Sequence, residues 1–335
     1  MTILVTGGCG FIGTNFISNW FQRTDEHVVN IYCMTYAANT HCLDNPPHKN
    51  LTNLNVNITD TERLVEVFHA YHPRAIVHFA AESHVDRSIS SADQFIKTNI
   101  NGTYALLINA LNYLEAANTD ICNKFRFIHV STDEVFGSLQ PNEKGFVETT
   151  SYKPNSPYSA SKAASDHLVR CYYETFGLPT IVTNCSNNYG PYQHVEKFIP
   201  TVLNSFLKER KIPVYGDGQQ IRDWLFVDDH CDALMSVLER GIPGESYNIG
   251  GNCEKTNLDL ISSIYDELKQ TYPALLKKPF YDYIAFVEDR LGHDRRYAID
   301  ASKIQRKLGW SPTHDFSCGM SKTISWYCED IALAQ

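Results

Sequence analysis

Apolar residues along the chain alternate between short continuous runs and stretches in which they recur at helical spacing. The runs, which are typical of buried parallel strands, lie at residues 2–8, 27–33, 51–58, 75–81, 127–130 and 179–185. Helical spacing fills most of the intervals, at residues 11–23, 60–71, 93–117 and 157–176. Strands and helices that alternate in this way predict an α/β fold with a doubly wound parallel sheet.

The pattern changes after residue 186, where short strands, prolines and glycines are interspersed with helices. We therefore expect two parts, a first part at 1–185 that holds the sheet and a second, smaller α/β lobe at 186–335. The boundary between them is soft, because the strand pattern at 246–251 fits a return to the first part.

Net charge and targeting signals narrow the classes of protein that the sequence fits. The 335 residues carry a net charge of −9, which argues against binding to nucleic acid or to an anionic membrane. No apolar run is long enough to span a bilayer, and "MTILVTGG" enters a strand without a signal-peptide pattern. We therefore expect a cytoplasmic protein. The ten cysteines are scattered without a CxxC motif, and HExxH is absent, so we expect reduced thiols and no metal site.

A glycine array follows the first predicted strand. The segment "TGGCGFIG" places Gly7, Gly10 and Gly13 in a GxxGxxG pattern before the first helix. Unpaired N–H groups at a helix N-terminus bind phosphate, and glycines let the backbone approach it. The array predicts a Rossmann dinucleotide site, and the alternative is a tight turn that binds nothing.

The end of the second strand lacks the acidic residue that usually binds the adenine ribose of a dinucleotide. Tyr32 occupies that position, and Cys33 follows it. Because no Arg or Lys replaces the acid, a 2′-phosphate site is not supported either, and NAD is the expected cofactor.

Tyr158 and Lys162 lie four residues apart in "SPYSASKAASDH", at the start of a predicted helix. That spacing places both side chains on one face of the helix. We expect the nearby ammonium to lower the pKa of Tyr158 and make the phenol a usable general base. The alternative is an ordinary exposed helix face.

Four polar residues follow the strand in "FIHVSTDEVFGS", namely Ser131, Thr132, Asp133 and Glu134. Two adjacent carboxylates repel each other, which raises the pKa of one of them and suits it to act as an acid beside a base. The alternative is a solvated acidic loop.

The chain resembles the extended short-chain dehydrogenase/reductase superfamily in its GxxGxxG array and in Tyr158-xxx-Lys162. It resembles the dTDP-glucose 4,6-dehydratases more closely, from residue 2 to about residue 327. The segments that carry this resemblance are "AAESHVDRSI", "STDEVFG", "SPYSASKAASDHLVR", "TNCSNNYGPY", "EKFIP", "QIRDW" and "GHDRRYAID".

The resemblance implies a reaction in which C4 of a nucleotide-bound glucose is oxidised, water leaves C5 and C6, and the hydride returns to C6, so that NAD is recycled. It implies that Thr132 binds the C4 oxygen. Asp133 is the implied acid at the C6 oxygen and Glu134 the base at C5. Tyr158, beside Lys162, takes the proton of the C4 hydroxyl. The product implied is a precursor for deoxysugar biosynthesis, rhamnose included.

The resemblance also implies two sets of binding residues. The cofactor positions are Gly7, Gly10, Phe11, Ile12, Gly13, Tyr32, Asn57, Ile58, Ala80, Ala81, Thr98, Tyr158, Lys162 and Asn187. The substrate positions are Ser83, Arg87, Asn188, Glu196, Lys197, Pro213, Tyr215, Arg222, Asn257, Arg290 and His293. Four positions depart from the family pattern: Tyr32, Cys33 and Asn57 at the adenosine end of the cofactor site, and Phe136 after the catalytic strand.

Several alternatives stay open on the sequence alone. The nucleotide is dTDP or UDP, and a C4 epimerase or a decarboxylase on the same fold would retain Tyr158 and Lys162 without needing the Asp133–Glu134 pair. A protein that binds a dinucleotide without catalysis is the third possibility. The resemblance further implies a homodimer that packs helices 93–117 and 157–176 as a four-helix bundle.

Overall fold

The computed structural model describes residues 1–38, 48–117 and 119–333. The strands of this part are β1 (Thr2–Thr6), β2 (His27–Tyr32), β3 (Leu51–Asn55), β4 (Ala75–His78), β5 (Arg126–Thr132), β6 (Thr180–Cys185), β7 (Asn187–Tyr189), β8 (Ile212–Tyr215), β9 (Ile221–Phe226), β10 (Ser246–Ile249), β11 (Glu254–Thr256) and β12 (Ile284–Val287). Seven of them form one sheet in the order β10–β6–β5–β4–β1–β2–β3, and all its pairings are parallel. The predicted doubly wound parallel sheet is thereby confirmed.

The helices flank the sheets or connect their strands. They are α1 (Phe11–Arg23), α2 (Thr61–Tyr71), α3 (Val85–Ser90), α4 (Asp93–Phe95), α5 (Thr103–Ala116), α6 (Thr119–Lys124), α7 (Pro157–Phe176), α8 (Phe198–Leu207), α9 (Val227–Arg240), α10 (Asn257–Thr271), α11 (Ser302–Leu308) and α12 (Phe316–Leu333). A π-helical segment, Ile96–Gly102, connects α4 to α5. No helix in these described ranges combines the length and apolar character needed to cross a membrane.

The side chains of β1 point alternately to the two faces of the main sheet. Ile3 packs in the apolar cluster that contains Phe16 of α1, whereas Leu4 packs in the cluster that contains Phe68 of α2. Both faces are therefore covered by helices, which explains why the strands read as continuous apolar runs. Complete burial of each such side chain contributes about 1.5–3 kcal/mol.

A second layer covers the carboxyl end of the sheet. It contains the three-stranded sheet β11–β9–β7 and the two-stranded sheet β12–β8. Helices α8, α10 and α12 enclose a third apolar cluster, with Leu203, Ile264 and Ile324 among its members. The residues after 186 do not form this layer alone, because β10 pairs with β6 in the main sheet. The division of the chain at residue 185 stays a prediction.

The predicted helix 157–176 is confirmed as α7, and the predicted helix 93–117 is observed as α4, the π-helical segment and α5. The predicted strands 51–58 and 75–81 are too long, since β3 ends at Asn55 and β4 at His78. The residues that follow leave the hydrogen-bonded ladder and line the cleft at the edge of the sheet.

Candidate active site

A cleft of about 1000 Å³ lies between the carboxyl ends of the parallel strands and the second layer. The strand order reverses between β1 and β4, and ligands of open α/β sheets bind outside the strand ends at such a reversal. The catalytic, cofactor and substrate residues predicted from the sequence all line this cleft. That they bind a ligand there stays a prediction.

The glycine array forms the floor of one end of the cleft. Gly7 has a φ of +71°, and a Cβ atom added to it would lie 2.7 Å from the backbone nitrogen of Ala80. A Cβ on Gly13 would lie 2.4 Å from the Gly7 carbonyl oxygen. Gly10 is the N-cap of α1 and has no side chain to cap the helix. The first turn of α1 is therefore open to an anionic ligand, and these residues fit a dinucleotide pyrophosphate.

The adenosine end of this site is uncharged on the β2 and β3 side. The described cleft residues within 31–38 and 56–58 include neither a carboxylate nor a cation. Tyr32 and Cys33 lie where β2 ends, and the Asn57 Oδ1 atom accepts hydrogen bonds from the amide and hydroxyl of Thr59 at 3.0 and 2.9 Å. The amide NH₂ of Asn57 is consequently the group of this side chain left to face a ligand.

Tyr36 is a cleft residue that the sequence analysis missed. The Arg87 Cζ atom lies 3.6 Å from the centroid of its ring, and Arg87 Nη2 also donates to both carboxylate oxygens of Glu196 at 2.9 and 2.8 Å. The sequence analysis assigned Arg87 and Glu196 to the substrate as separate residues, whereas the structure pairs them across the cleft. Contacts between residues so far apart leave no spacing signal in the sequence.

Thr132, Asp133 and Glu134 are presented at the end of β5 by a short 3₁₀ turn, Asp133–Phe136. Thr132 Oγ1 caps this turn by accepting a hydrogen bond of 3.3 Å from the Glu134 amide. Asp133 is buried, and its Oδ2 atom has no hydrogen-bond partner among the described residues. Burial, with the Glu134 carboxylate next in importance, raises the pKa of Asp133 well above its ordinary value.

The pKa of Glu134 is also raised by burial, but Arg290, Arg222 and Lys197 oppose that shift. The two adjacent carboxyl groups therefore differ in environment. Asp133 is better suited to remain protonated and Glu134 to ionise, which is the division of labour that an acid and a base require.

Helix α7 begins immediately before Tyr158. Pro157 occupies its first position, and Ser156 forms a capping box with Ser159, a combination that fixes the start of a helix. Tyr158 and Lys162 are both buried on this helix. The expected lowering of the Tyr158 pKa is wrong for this structure. Burial, followed by the Glu134 carboxylate, raises the pKa of Tyr158 well above its ordinary value.

The polar side chains of the second layer converge on the opposite end of the cleft. Lys197 Nζ donates to the Ser83 carbonyl at 2.8 Å. Arg290 Nη1 lies 3.7 Å from Asp86 Oδ1, and its buried Nε atom has no hydrogen-bond partner in the described part of the chain. A guanidinium with an unpaired donor in the cleft is suited to an incoming anion.

Arg222 also reaches this end, where its Nη2 donates to the Asp294 carbonyl at 3.0 Å and its Cζ lies 4.3 Å from the centroid of the Tyr297 ring. Tyr297 was missed from the sequence, although it lies within the quoted segment "GHDRRYAID". His293 Nδ1 lies 2.5 Å from Asp289 Oδ1, and burial, followed by the charge of Arg290, lowers the pKa of His293 to about 4.

The remaining predicted substrate residues fill the rim. Asn257 Nδ2 donates to Gln220 Oε1 at 3.3 Å, and the Tyr215 ring meets the His293 ring edge-on at 6.2 Å. Pro213 lies with Tyr215 on β8, and Asn188 lies on β7 next to Asn187, which was predicted for the cofactor. These residues line the same cleft as the catalytic residues. Their spacing in the sequence does not predict that they lie together.

Comparisons with known proteins place this cleft in context. The family model described as GDP-mannose 4,6 dehydratase matches residues 4–323. The dTDP-glucose 4,6-dehydratase of Salmonella typhimurium is 51% identical over 98% of this chain and 92% of its own. The chain belongs to the dTDP-glucose 4,6-dehydratase family. The resemblance stated from the sequence is thereby confirmed.

Solved structures of the dTDP-glucose 4,6-dehydratase family have the same fold. An enzyme of this name from Streptomyces venezuelae, solved with NAD bound, superposes with a TM-score of 0.90 at 39% identity and covers 99% of this chain and 98% of its own. The enzyme from Bacillus anthracis, also solved with NAD, gives 0.87 at 40% identity over the same shares. The fold thus agrees with the family over nearly the whole chain.

Proposed function

We propose that this protein is an NAD-dependent hydro-lyase that converts dTDP-glucose to dTDP-4-keto-6-deoxyglucose. The observation that carries this function is the placement of the buried Asp133 beside Glu134, in one cleft with Thr132, Tyr158 and a glycine array. A C4 epimerase needs Tyr158 and Lys162, but its reaction does not require the adjacent carboxyl groups of Asp133 and Glu134. The relatives named above, which are called dTDP-glucose 4,6-dehydratases, support dTDP over UDP.

Gly7, Gly10 and Gly13 would hold the pyrophosphate of NAD, and the first turn of α1 would supply the amide donors. NAD bound there would supply the hydride acceptor for C4 and the hydride donor for C6. Of the other predicted cofactor residues, Tyr32 and Asn57 would face the adenosine, and Ala80 and Thr98 are among those that would face the rest of the cofactor.

Tyr158 and Thr132 act on the first step. The hydroxyl of Thr132 binds the C4 oxygen of the sugar. The phenolate oxygen of Tyr158 takes the proton of the C4 hydroxyl. Because burial and Glu134 raise the pKa of Tyr158, the phenolate forms only with the help of a nearby cation. Lys162 is the cation available for this, since it is buried on the same helix one turn later.

Asp133 and Glu134 act on the elimination. Once C4 is a ketone, the C5 hydrogen becomes acidic, and Glu134 removes it as a base. Asp133 retains a proton because of its raised pKa and delivers that proton to the departing C6 hydroxyl. A buried acid and an ionised base in one cleft are the arrangement that general acid–base catalysis needs, and each contributes roughly 10²–10⁴-fold.

The second layer binds the nucleoside diphosphate. Arg222, Arg290 and Lys197 supply positive charge in the cleft to a diphosphate that carries negative charge. The planar donor fork of Arg suits phosphate oxygens, and the ring of Tyr215 offers a stacking surface to the base. Arg87 and Glu196, which pair with each other, fix the approach of the two lobes on either side of the substrate.

The assembly and location are also part of the proposal. Ile96, Tyr104 and Phe176 are exposed by 48%, 50% and 53% on the segments predicted for the dimer interface. Exposed apolar groups of this kind favour a homodimer, and we place that dimer in cytoplasmic deoxysugar biosynthesis, with rhamnose as the expected end product. Sedimentation of the purified protein tests the dimer, because Tyr104→Glu should shift it to a monomer, whereas the exposed Tyr281→Glu should not.

The reaction is tested by incubating the purified protein with dTDP-glucose in D₂O, with and without added NAD, and following the sugar by proton NMR. We expect a new C6 methyl signal and deuterium at C5. If neither dTDP-glucose nor UDP-glucose gains a methyl signal at saturating NAD, the dehydratase function is wrong. Binding of NAD without any turnover would then favour the non-catalytic alternative.

A further inference from the structure

A cluster of buried polar residues lies behind Tyr158 and Lys162 and has no part in the reaction described so far. His129 on β5, Ser165 and Asp166 on α7 are each 3% exposed or less. His129 Nε2 lies 3.2 Å from Ser165 Oγ, 3.2 Å from Asp166 Oδ1 and 3.5 Å from Lys162 Nζ. A hydroxyl, a carboxylate and an ammonium thus surround one nitrogen of the His129 imidazole inside the protein.

Hydrogen bonding selects one tautomer of His129. The Ser165 hydroxyl donates to the Lys162 carbonyl at 2.8 Å, so its oxygen is left to accept from His129 Nε2. The Nδ1 atom of His129 has no partner among the described residues, and a buried N–H without an acceptor is costlier than a bare lone pair at a ring nitrogen. The proton therefore resides on Nε2, facing Ser165 and Asp166.

This tautomer leaves Lys162 without a bond to His129, since a nitrogen that carries a hydrogen does not accept one. Lys162 Nζ instead donates to the Val130 carbonyl at 2.8 Å. The ammonium is then buried with one neutral acceptor, and a buried ammonium needs a carboxylate to compensate for its lost hydration.

Asp166 is that carboxylate. Its Oδ2 atom accepts hydrogen bonds from Ser131 Oγ at 2.9 Å, Tyr152 OH at 2.9 Å and Asn184 Nδ2 at 3.2 Å. Three donors therefore converge on one oxygen of Asp166, and the other oxygen faces His129.

The remaining titratable groups around Lys162 are neutral near pH 7. They come from each element packed against it, namely His78 on β4, His129 on β5, Cys185 on β6 and Tyr158 on α7. Burial lowers the pKa of His78 well below its ordinary value and that of His129 to about 4, and burial raises the pKa of Cys185 to about 12.

We propose that Asp166 is the buried counter-ion of Lys162 and that His129 and Asp166 are positioning residues, which keep the Lys162 ammonium charged behind Tyr158. The inference rests on the proposed function for its kinetic consequence. Tyr158 and Lys162 then act together with His129 and Asp166. The Asp166 carboxylate, which lies outside the cleft, controls the pH range in which the enzyme is active.

The variant Asp166→Asn tests this role, because it retains the shape and one acceptor oxygen while removing the charge. Lys162 should then lose its proton at a lower pH, so the basic limb of the kcat/KM profile should move down by about one pH unit. Because a weaker cation assists the phenolate less, the acidic limb should move up. Tyr152→Phe is the matched control, because it removes one hydrogen-bond donor to the Asp166 carboxylate but leaves the charge. Both limbs of its kcat/KM profile should stay at the wild-type pH.

A lower plateau with unmoved limbs in Asp166→Asn would mean a structural role only and would overturn the proposal. Should that variant not fold, ¹⁵N NMR of the wild-type protein decides the question on its own. His129 must be neutral with its proton on Nε2 between pH 6 and 8, and the opposite tautomer or a cationic ring would overturn the proposal. If wild-type protein shows no turnover at all, the proposed function fails instead, while the NMR result still stands.

Discussion

The carbonyl oxygen of Tyr32 accepts a hydrogen bond of 2.9 Å from the amide of Val56. This bond continues the pairing of β2 with β3 by one step and fixes Tyr32 at the edge of the cleft. The position is the one from which an acidic side chain reaches the adenine ribose in Rossmann folds. Tyr32 therefore lies at the correct place for that contact with the wrong functional group, and no described residue of β2, β3 or the turns after them supplies a carboxylate to the cleft.

Replacement of Tyr32 by aspartate should restore this contact. Because a hydrogen bond to a charged group contributes about 1.5–3 kcal/mol, Tyr32→Asp should tighten NAD binding roughly tenfold or more, as measured by calorimetric titration. Tyr32→Asn, which has nearly the same shape without the charge, is the control and should gain less. NADP should bind more weakly to Tyr32→Asp than to the wild type, owing to repulsion by the 2′-phosphate. Equal NAD affinity in all three proteins would show that the adenosine end is held elsewhere.

The roles of the two adjacent carboxyl groups are separable by isotope exchange at C5. Asp133→Asn should still allow Glu134 to remove the C5 proton, so dTDP-glucose recovered from D₂O should contain deuterium at C5. Formation of the C6 methyl should fall by about 10²–10⁴-fold, since the leaving hydroxyl lacks its acid. Glu134→Gln should lose both the exchange and the methyl product.

Proton NMR of the recovered sugar measures both signals in one sample. Loss of C5 exchange in Asp133→Asn to the same extent as in Glu134→Gln would contradict the assignment of one acid and one base. Deuterium at C5 in Glu134→Gln alone would reverse the two roles.

Asp133→Asn should also stabilise the protein at alkaline pH. Burial and Glu134 raise the pKa of Asp133 above its value in the unfolded chain. Its stabilising contribution is therefore fully present below the unfolded pKa of about 3.9 and is lost as the pH rises through the folded pKa. The neutral amide removes that loss, so the variant should exceed the wild type by about 1 kcal/mol at pH 8 and match it near pH 4.

Thermal unfolding at the two pH values measures this difference. Asp217→Asn is a suitable control, because hydrogen bonds from Arg295 lower the pKa of Asp217, so its removal should not stabilise the protein at either pH. A gain in Asp133→Asn that is the same at pH 4 and pH 8 would indicate a packing effect rather than a titration.

Local patterns predicted much of the fold and the site. The continuous apolar strands and the helix started by Pro157 were visible in the sequence because burial on both faces and helix capping act through neighbouring residues. Gly7 and the pair of Asp133 and Glu134 were also predicted from the sequence. Their position at the end of a strand indicates that they line a site. Each of these features depends on residues within one turn or strand.

The features that sequence could not predict depend on residues brought together by the fold. The stacking of Arg87 on Tyr36 joins helix α3 to the segment after β2, and no spacing indicates it. The raised pKa of Tyr158 was also missed, because the sequence shows the Lys162 four residues away but not the burial and the Glu134 carboxylate that outweigh it. Two strands were predicted too long for the same reason. A strand ends where the hydrogen bonds to its neighbouring strands end, and the sequence does not show those neighbours.

Two glycines with nearly the same backbone conformation allow the close approach at the cofactor loop to be measured. Gly7 has a φ of +71° and Gly177 a φ of +69°, so an alanine at either position incurs a left-handed backbone cost of about 1 kcal/mol. They differ in surroundings, because the Cβ at Gly7 would lie 2.7 Å from the Ala80 nitrogen, whereas nothing lies within 4 Å of the Cβ at Gly177. Gly7→Ala should therefore lose a further 1–3 kcal/mol or so, and the displaced loop should no longer bind NAD. Denaturant unfolding and NAD titration of the two variants measure both effects, and equal losses with NAD binding retained in Gly7→Ala would show that the loop accommodates a side chain.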